Sequence, residues 1–338
     1  MHDIIAIGSI TKDNFFVVDY ETIDWPKTSL KKAIVLPLGE KVDVKSILAT
    51  LGGNSSNASV TFSRQGFRTA CFGKVGRDIT AKEIFAWLKK DKVTPIFAYA
   101  KDVPTAYSVL LLRNGERTIL GYHGASDTLV EKDIPWSKLK SKWWYLSLAG
   151  KSDKFLKPLL EFAKKNKIQV AFNPSGYHIM HRRQEIIEAL PYLTFLVLNS
   201  GEAAALTGIS FTDPRAVFKK IDELMPGIVA VTDGESGVTV SDGKTLYKAG
   251  IFKEKRLLDR TGAGDAFGSG FVAGLMHRQK ISKTKEFTAE DICFAIRLAT
   301  ANATGVVEEI GATEGIITKK QFEIATEYQS LTITTQAL

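Results

Sequence analysis

The sequence predicts an α/β fold, with a mainly parallel central sheet flanked by helices on both faces and a small second sheet beside it. Three observations lead there. Short, almost continuously apolar runs recur along the chain, as strands buried on both faces require. Segments with the spacing of amphipathic helices alternate with them, which is how a parallel sheet is wound. Two β-rich stretches break the alternation and need a sheet of their own.

In chain order, "IIAIG" (4–8) is the first strand, and a helix is predicted over 54–66. "NFFVVDY" (14–20) and "AIVLPLGEKVDV" (33–44) fall between the two, outside the wound pattern. "TACFG" (69–73) leads to a helix over 80–91. "TAYSVLLLRNGERTILGYH" (105–123) reads as a hairpin turning at "NGE". The winding resumes with "WWYLSL" (143–148), a helix over 152–166, "IQVAF" (168–172) and a helix over 182–190. "TFLVL" (194–198), a helix over 213–224 and "IVAVT" (228–232) continue it. "GVTVSDGKTLYKA" (237–249) is a second hairpin, followed by helices at 263–277, 288–304 and 318–328. No repeat, low-complexity tract or linker divides the chain. The expected organisation is one α/β domain of residues 1–13, 45–104 and 124–338, with a β appendage of 14–44 and 105–123 growing from it.

Composition narrows the function. With 338 residues, 44% hydrophobic and 24% charged, the chain reads as soluble and large enough for one α/β domain with an appendage. Cys71 and Cys293 lie far apart in apolar surroundings without metal spacing, so reduced thiols and a cytoplasmic location are expected. The start "MHDIIAIGSI" is too soon polar for a signal peptide, and no apolar run approaches a membrane span. The net charge of +8 is scattered over helical segments such as "AWLKKDKV", which speaks against a nucleic-acid partner.

The chemistry concentrates in "LLDRTGAGDAFGSGF" (257–271). Glycine-rich turns that open a helix cradle anions with their free N–H groups. Here the carboxylate Asp265 stands inside such a cradle. A dinucleotide fingerprint keeps acids away from the pyrophosphate, so that reading fails. Two P-loop fragments fail as well. Tyr145 and Val238 stand where the glycines upstream of "GKS" (150–152) and "GKT" (243–245) would have to be. Phosphoryl transfer to an alcohol accounts for the acid, because it needs an N–H cluster for the phosphoryl group and a base for the attacking hydroxyl. One helix turn then supplies both.

With that motif the chain resembles the ribokinase-like (PfkB) carbohydrate kinases, whose C-terminal signature reads D-T-x-G-A-G-D. The likeness runs in order through "GSITKDN" (8–14), "GGNSSNASVTFSRQG" (52–66), "GKVGRD" (73–78), "LNSGEAAALTG" (198–208) and "VTDGESGV" (231–238). It implies Asp265 as general base, with the amides of Gly262, Ala263 and Gly264 as the anion hole. Asp13, Gly53 and Asn57 would meet the acceptor. Thr232, Gly234 and Gly237 would line ATP, and Asn199 and Glu202 would hold hydrated Mg²⁺. Asp259 and the carbonyl of Thr261 resemble part of a monovalent-cation site, which points to K⁺. The irregular strands become a lid, through which a homodimer is expected.

Other readings of these residues are local. Asn199 and Glu202 also suit a helix cap, Thr232–Gly237 a plain hairpin turn, and Asn57 a surface position. Phe15 and Phe16 fit either a nucleobase contact or the lid's apolar face. Arg117 reads as a lid-surface residue rather than a clamp for an acidic substrate, and His123 and His178 carry no assignment. Ribokinases have "GGKGAN" where this chain has Asn54 in "GGNSSN". The acceptor therefore stays open among a free sugar, a nucleoside, a sugar acid and, with less in its favour, a sugar phosphate or vitamin-like alcohol. A catalytically silent ligand-binding relative is the non-enzymatic alternative.

Overall fold

The computed structural model describes residues 1–27, 31–113, 116–148, 155–281 and 286–338. The chain begins with β1 (His2–Gly8), β2 (Thr11–Val18), β3 (Glu21–Asp24), β4 (Lys32–Val35) and β5 (Val44–Gly52). Next come α1 (Asn54–Arg64), β6 (Thr69–Val75), α2 (Ile79–Lys90), β7 (Thr94–Tyr99), β8 (Ala106–Arg113) and β9 (Glu116–Tyr122). The second half of the winding is β10 (Ser141–Ser147), α3 (Leu156–Lys165), β11 (Gln169–Phe172), α4 (Gly176–His181) and α5 (Arg183–Ala189). It continues through β12 (Phe195–Asn199), α6 (Ser200–Thr207), α7 (Pro214–Asp222) and β13 (Ile228–Thr232). The hairpin β14 (Val238–Ser241) and β15 (Thr245–Ala249) leads into α8 (Ala263–Ile281), α9 (Ala289–Val307), α10 (Lys319–Ile324) and β16 (Ile333–Ala337).

The large sheet runs β16-β15-β14-β13-β12-β11-β10-β1-β6-β7, parallel from β13 to β7 and antiparallel beyond β13. Successive side chains point to opposite faces, and the core divides accordingly. Ile5, Ile7, Trp144, Leu146 and Leu196 pack with α3, α5, α6 and α7 on one face. Ile4, Ala6, Trp143, Tyr145 and Val197 pack with α1, α8 and α9 on the other. The apolar strand runs are therefore covered twice, as their sequence demands.

The lid is a four-stranded sheet in the order β5-β2-β8-β9, with β3 and β4 forming a separate ribbon. The sequence boundary placed residues 45 onward in the large domain, but Val44–Gly52 is one continuous lid strand paired with β2. Most of that strand is exposed, and only its last three residues are buried, so its apolar residues belong to the lid. Likewise β2 starts at Thr11, so Asp13 lies in the lid sheet rather than in the core. The expected "NGE" turn begins at 114–115, outside the described residues, but the two strands of that hairpin pair antiparallel as read. All three residues of the rejected "GKS" also lie outside the described residues, and "GKT" falls on the β14–β15 hairpin.

Two strands carry no clear sequence signal. Pro95 weakens the β-pattern of β7, and proline is tolerated there because β7 is an edge strand. β16 is the polar "ITTQA" at the opposite edge, exposed along most of its length and so without alternation. The helix read over 318–328 ends at Ile324, with a short 3₁₀ turn at Thr326–Gln329.

Candidate active site

From β1 the chain winds outward to β6 and β7, then returns to β10 on the other side of β1 and winds the opposite way. Such a switch point opens a crevice at the carboxyl ends of the parallel strands. Asn173 follows β11, Asn199 ends β12 and Thr232 ends β13, all at that edge. The N-terminus of α8 is aimed at the same place.

The turn before α8 is held on three sides. Gly262 has φ 80°, and a Cβ there would lie 2.5 Å from the Cβ of Ala312. Only glycine fits that turn without displacing the 312 segment. Behind the turn, Ser269 donates to the carbonyl of Asp265 at 2.6 Å, and its Oγ lies 2.9 Å from the Thr61 hydroxyl of α1, which can donate to it. Asn302 of α9 donates to the carbonyl of Ala266 at 2.8 Å and accepts from the amide of Ile317 at 3.1 Å. These buried polar groups satisfy one another, which makes the network a rigid brace rather than a penalty. In the turn itself, Ala266 N–H donates to Gly262 at 2.8 Å and Ala263 N–H to Arg260 at 3.4 Å. Among the described residues, the amides of Gly262 and Gly264 make no such bond, which leaves donors free at a helix N-terminus.

Two cavities meet at this turn. The larger, about 580 Å³, lies beneath the lid and is lined by Asp13, Gly53, Asn57, Ser108, Gly262 and Asp265, among others. The smaller, about 250 Å³, is lined by Thr232, Gly234, Gly237, Ala263 and Gly264, with Thr300 and Thr304 of α9 on its far wall. One turn of chain thus gives Asp265 to one cavity and the helix-opening residues to the other.

In the larger cavity, Asn57 Nδ2 donates to Asp265 Oδ2 at 3.0 Å and Asn173 Nδ2 to Oδ1 at 3.5 Å. Asn57 Oδ1 is buried without a hydrogen-bond partner. An orphaned amide oxygen in a cavity calls for a donor from a ligand. Gly53, at φ 90°, crosses the β1–β2 connection, where a Cβ would lie 2.7 Å from the Ser9 carbonyl. Its lack of a side chain thus serves backbone crossing directly. Phe15 is buried with Leu110 and Leu112 on the inner face of the lid sheet.

The carboxylates of this cavity repel one another. Burial pushes Asp265 up to about 6, against the bond from Asn57, and the charges of Asp13 and Glu202 add to the rise. Burial also raises Asp13 to about 6, against Ser108, with the charge of Asp259 contributing. Both titrate near the pH range in which a general base has to work.

Asn199 and Glu202 form a reciprocal cap at the start of α6, through bonds of 2.8 and 2.9 Å. Glu202 Oε2 is thus engaged, while Oε1 makes no bond to protein among the described residues; burial raises this carboxyl. No cluster of three or more acidic, His or Cys ligands is present among the described residues. Asn199 and Glu202 are the residues that would hold a hydrated Mg²⁺, Glu202 through its second oxygen.

Asp259 is fully buried. Its Oδ1 accepts from both the N–H and the O–H of Thr261, at 2.9 and 2.7 Å. Arg117, read from sequence as a lid-surface residue, instead points inward and lines the larger cavity, with Nε 3.9 Å from Asp259 Oδ1. The error came from sheet parity: Arg117 shares its face of β9 with Ile119 and Gly121, which line the same cavity. His123, to which the sequence reading assigns nothing, lines it too. Asn173, Thr300 and Thr304 were missed outright, because each lies in an ordinary helix or loop and only the fold brings it here. A polar residue directly after an apolar parallel strand, as at Asn173, was the available clue.

The sequence profile described as pfkB family carbohydrate kinase matches residues 12–319. The chain is 25% identical over 283 residues to the ribokinase of Lactococcus lactis, covering 82% of this chain and 86% of that one. It is 26% identical over 287 residues to the adenosine kinase of Saccharomyces cerevisiae, at 80% and 82% coverage. The solved structure of ribokinase from Giardia lamblia superposes with a TM-score of 0.80 at 21% identity, covering 97% of this chain and 99% of that one. A match over nearly the full length, with the signature glycines and Asp265 at the junction of two cavities, places the chain in the pfkB family of carbohydrate kinases.

Proposed function

We propose that this chain transfers the γ-phosphoryl group of ATP to a hydroxyl of a neutral sugar or nucleoside. The observation that carries the reading is the shared turn: Asp265 faces the cavity under the lid, while Ala263 and Gly264 face the adjoining one. An acceptor hydroxyl beside Asp265 loses its proton to that carboxylate as it attacks the phosphorus. The free amides at the start of α8 meet the charge on the phosphoryl oxygens. Asn57 and Asn173 hold Asp265 in place, and Asn57 Oδ1 accepts from a second acceptor hydroxyl. Asp13, an acceptor-only group when ionised, takes hydrogen bonds from further hydroxyls. Mg²⁺, held through water by Asn199 and Glu202, would neutralise phosphate charge.

Charge selects the acceptor class. Asp13, Asp127 and Asp265 line the cavity, and the guanidinium of Arg117 is already matched by Asp259. An acidic acceptor would enter a field of its own sign, so sugar acids and sugar phosphates are disfavoured. Leu148, Ile119, Tyr122 and Tyr177 supply an apolar and aromatic wall that suits a nucleobase, which favours a nucleoside over a free pentose. The test is ADP release with Mg²⁺ over panels of neutral sugars, nucleosides and sugar acids. Turnover with a neutral acceptor is expected, and turnover confined to acids would reverse the charge argument. A silent binding relative would release no ADP with any of them.

No helix among the described residues is long and apolar enough to cross a membrane. With Cys71 and Cys293 unpaired, we place the chain in the cytosol. The lid's outer face is covered only in part, by Tyr20 and Ile34 packed with Phe16, Val109 and Leu111. Ile47 and Leu120 project from it at 65% and 57% exposure, flanking Phe16, Val109 and Leu111. A second copy presenting the same sheet would bury this face in a C₂ dimer. Light scattering at micromolar concentration is expected to give a dimer mass, and Leu120→Lys a monomer. A monomeric parent protein would remove the pairing and leave the site untouched.

A further inference from the structure

The charge pair between the lid and the anion-binding turn carries an inference of its own, which rests on the kinase reading above. Asp259 is fully buried three residues before Gly262, and the bonds from Thr261 to its Oδ1 shape the backbone entering the turn. Among the described residues its Oδ2 has only a long contact, 3.4 Å, from the amide of Gly311. A buried carboxylate with so few donors needs a counter-charge nearby. The family resemblance points to a monovalent cation at this place. The residues of this chain do not fit that role well, because a positive charge is already there. Arg117 Nε lies 3.9 Å from Asp259 Oδ1, which sets a guanidinium beside the carboxylate.

The separation makes this an ion pair rather than a hydrogen bond. Among the described residues, Arg117 Nε is buried without a hydrogen-bond partner, and the charge of Asp259 is what it faces. Its position has a second consequence. Arg117 belongs to β9 of the lid, whereas Asp259 belongs to the segment that enters α8. The counter-charge is therefore delivered by the element that covers the acceptor. Arg117 has the inward parity of β9 that it shares with Ile119 and Gly121, so the lid strand itself aims it at the turn.

We propose that Arg117 is a built-in cation that takes the place of a bound K⁺ beside Asp259, so that the anion-binding turn is ordered by lid placement and turnover is independent of monovalent cations. Arg117 acts through Asp259 and the turn, which makes it a positioning residue.

The test compares buffers containing 100 mM K⁺ with buffers in which K⁺ and Na⁺ are replaced by N-methylglucamine at equal ionic strength, roughly a Debye length of 10 Å in each. Two readouts are taken: turnover with the acceptor identified in the panel, and the melting temperature of the ligand-free protein. For the parent protein, turnover is expected to agree within about twofold, and the melting temperature to stay unchanged. Arg117→Met is expected to lose turnover by tenfold or more without K⁺, with little change in acceptor KM. It is also expected to melt lower, and K⁺ is expected to restore part of both losses. Arg117→Lys keeps a charge and is expected to remain indifferent to K⁺, which guards against a methionine variant that folds poorly. A parent protein that loses turnover or stability when K⁺ is removed would overturn the proposal. So would an Arg117→Met variant that ignores K⁺ in both readouts, or one whose main defect is a raised acceptor KM, since the guanidinium would then serve the acceptor. The melting readout needs no acceptor, so it stands even where the kinase reading fails for want of turnover.

Discussion

An Asp265→Asn variant is expected to lose turnover by about 10²-fold or more while binding nucleotide within a few-fold of the parent, as loss of a general base does. The residue removed lines the larger cavity, and Ala263 and Gly264, which line the adjoining one, stay as they are. The same variant is expected to be more stable at neutral pH. Burial holds the folded carboxyl at about 6, above its ordinary 3.8, so the native state binds a proton more tightly than the unfolded chain. Stability from this group is then fully present below about pH 4 and is lost as pH rises through about 6. At about 1.4 kcal/mol per pKa unit, the neutral amide recovers up to about 3 kcal/mol at pH 7–8 and nothing near pH 4. In the parent protein the ionised base is the working form and Asp13 is also held at about 6, so kcat/KM is expected to fall by about ten- to a hundredfold per unit below pH 6. Calorimetry and initial rates on one pair of samples check both halves. Near-normal turnover, or a variant less stable at pH 8, would remove Asp265 from this role.

The second large effect falls on the acceptor alone. Asp13 stands on the inner face of β2, with its carboxylate in the cavity and distant in function from the nucleotide. A hydrogen bond to a charged group contributes roughly 1.5–3 kcal/mol, and two acceptor hydroxyls can reach the two oxygens. Asp13→Ala is therefore expected to raise the acceptor KM by roughly 10- to 100-fold, with the KM for ATP little changed. Asp13→Asn keeps the shape and loses the charge, so an intermediate rise is expected. An unchanged acceptor KM in both variants would make the lid aspartate structural. A rise in both KM values would place it at the junction rather than in the acceptor pocket.

What could be read from the sequence followed the range of the interactions. The anion turn is local: Gly262, Gly264 and Asp265 lie within four positions, so composition alone exposed the acid inside the cradle. The Asn199–Glu202 pair is local too, and the structure shows the helix cap that the spacing implied. The parallel strands were legible because burial on both faces leaves continuous apolar runs. The rest depends on distant segments. Asn57 and Asp265 are 208 residues apart, as are Thr61 and Ser269, and no pattern in either segment announces the other. Arg117 shows how such a reading fails: a charged residue in a hairpin reads as solvated until the sheet's parity turns it inward. The lid boundary failed for a related reason, since Val44–Gly52 is exposed for most of its length and lacks the core pattern that marks strands elsewhere.

The central claim is that phosphorus passes across the 262–265 turn to an acceptor hydroxyl. It is tested most directly by ³¹P NMR of the protein with ATP, Mg²⁺ and the best neutral acceptor of the panel, run beside Asp265→Asn. The expected spectrum shows the γ-phosphate signal of ATP converted to ADP and a phosphomonoester on the acceptor, in equal amounts, with the variant's conversion slowed by about 10²-fold or more. Release of inorganic phosphate in place of the ester, or equal conversion by the variant, would contradict it.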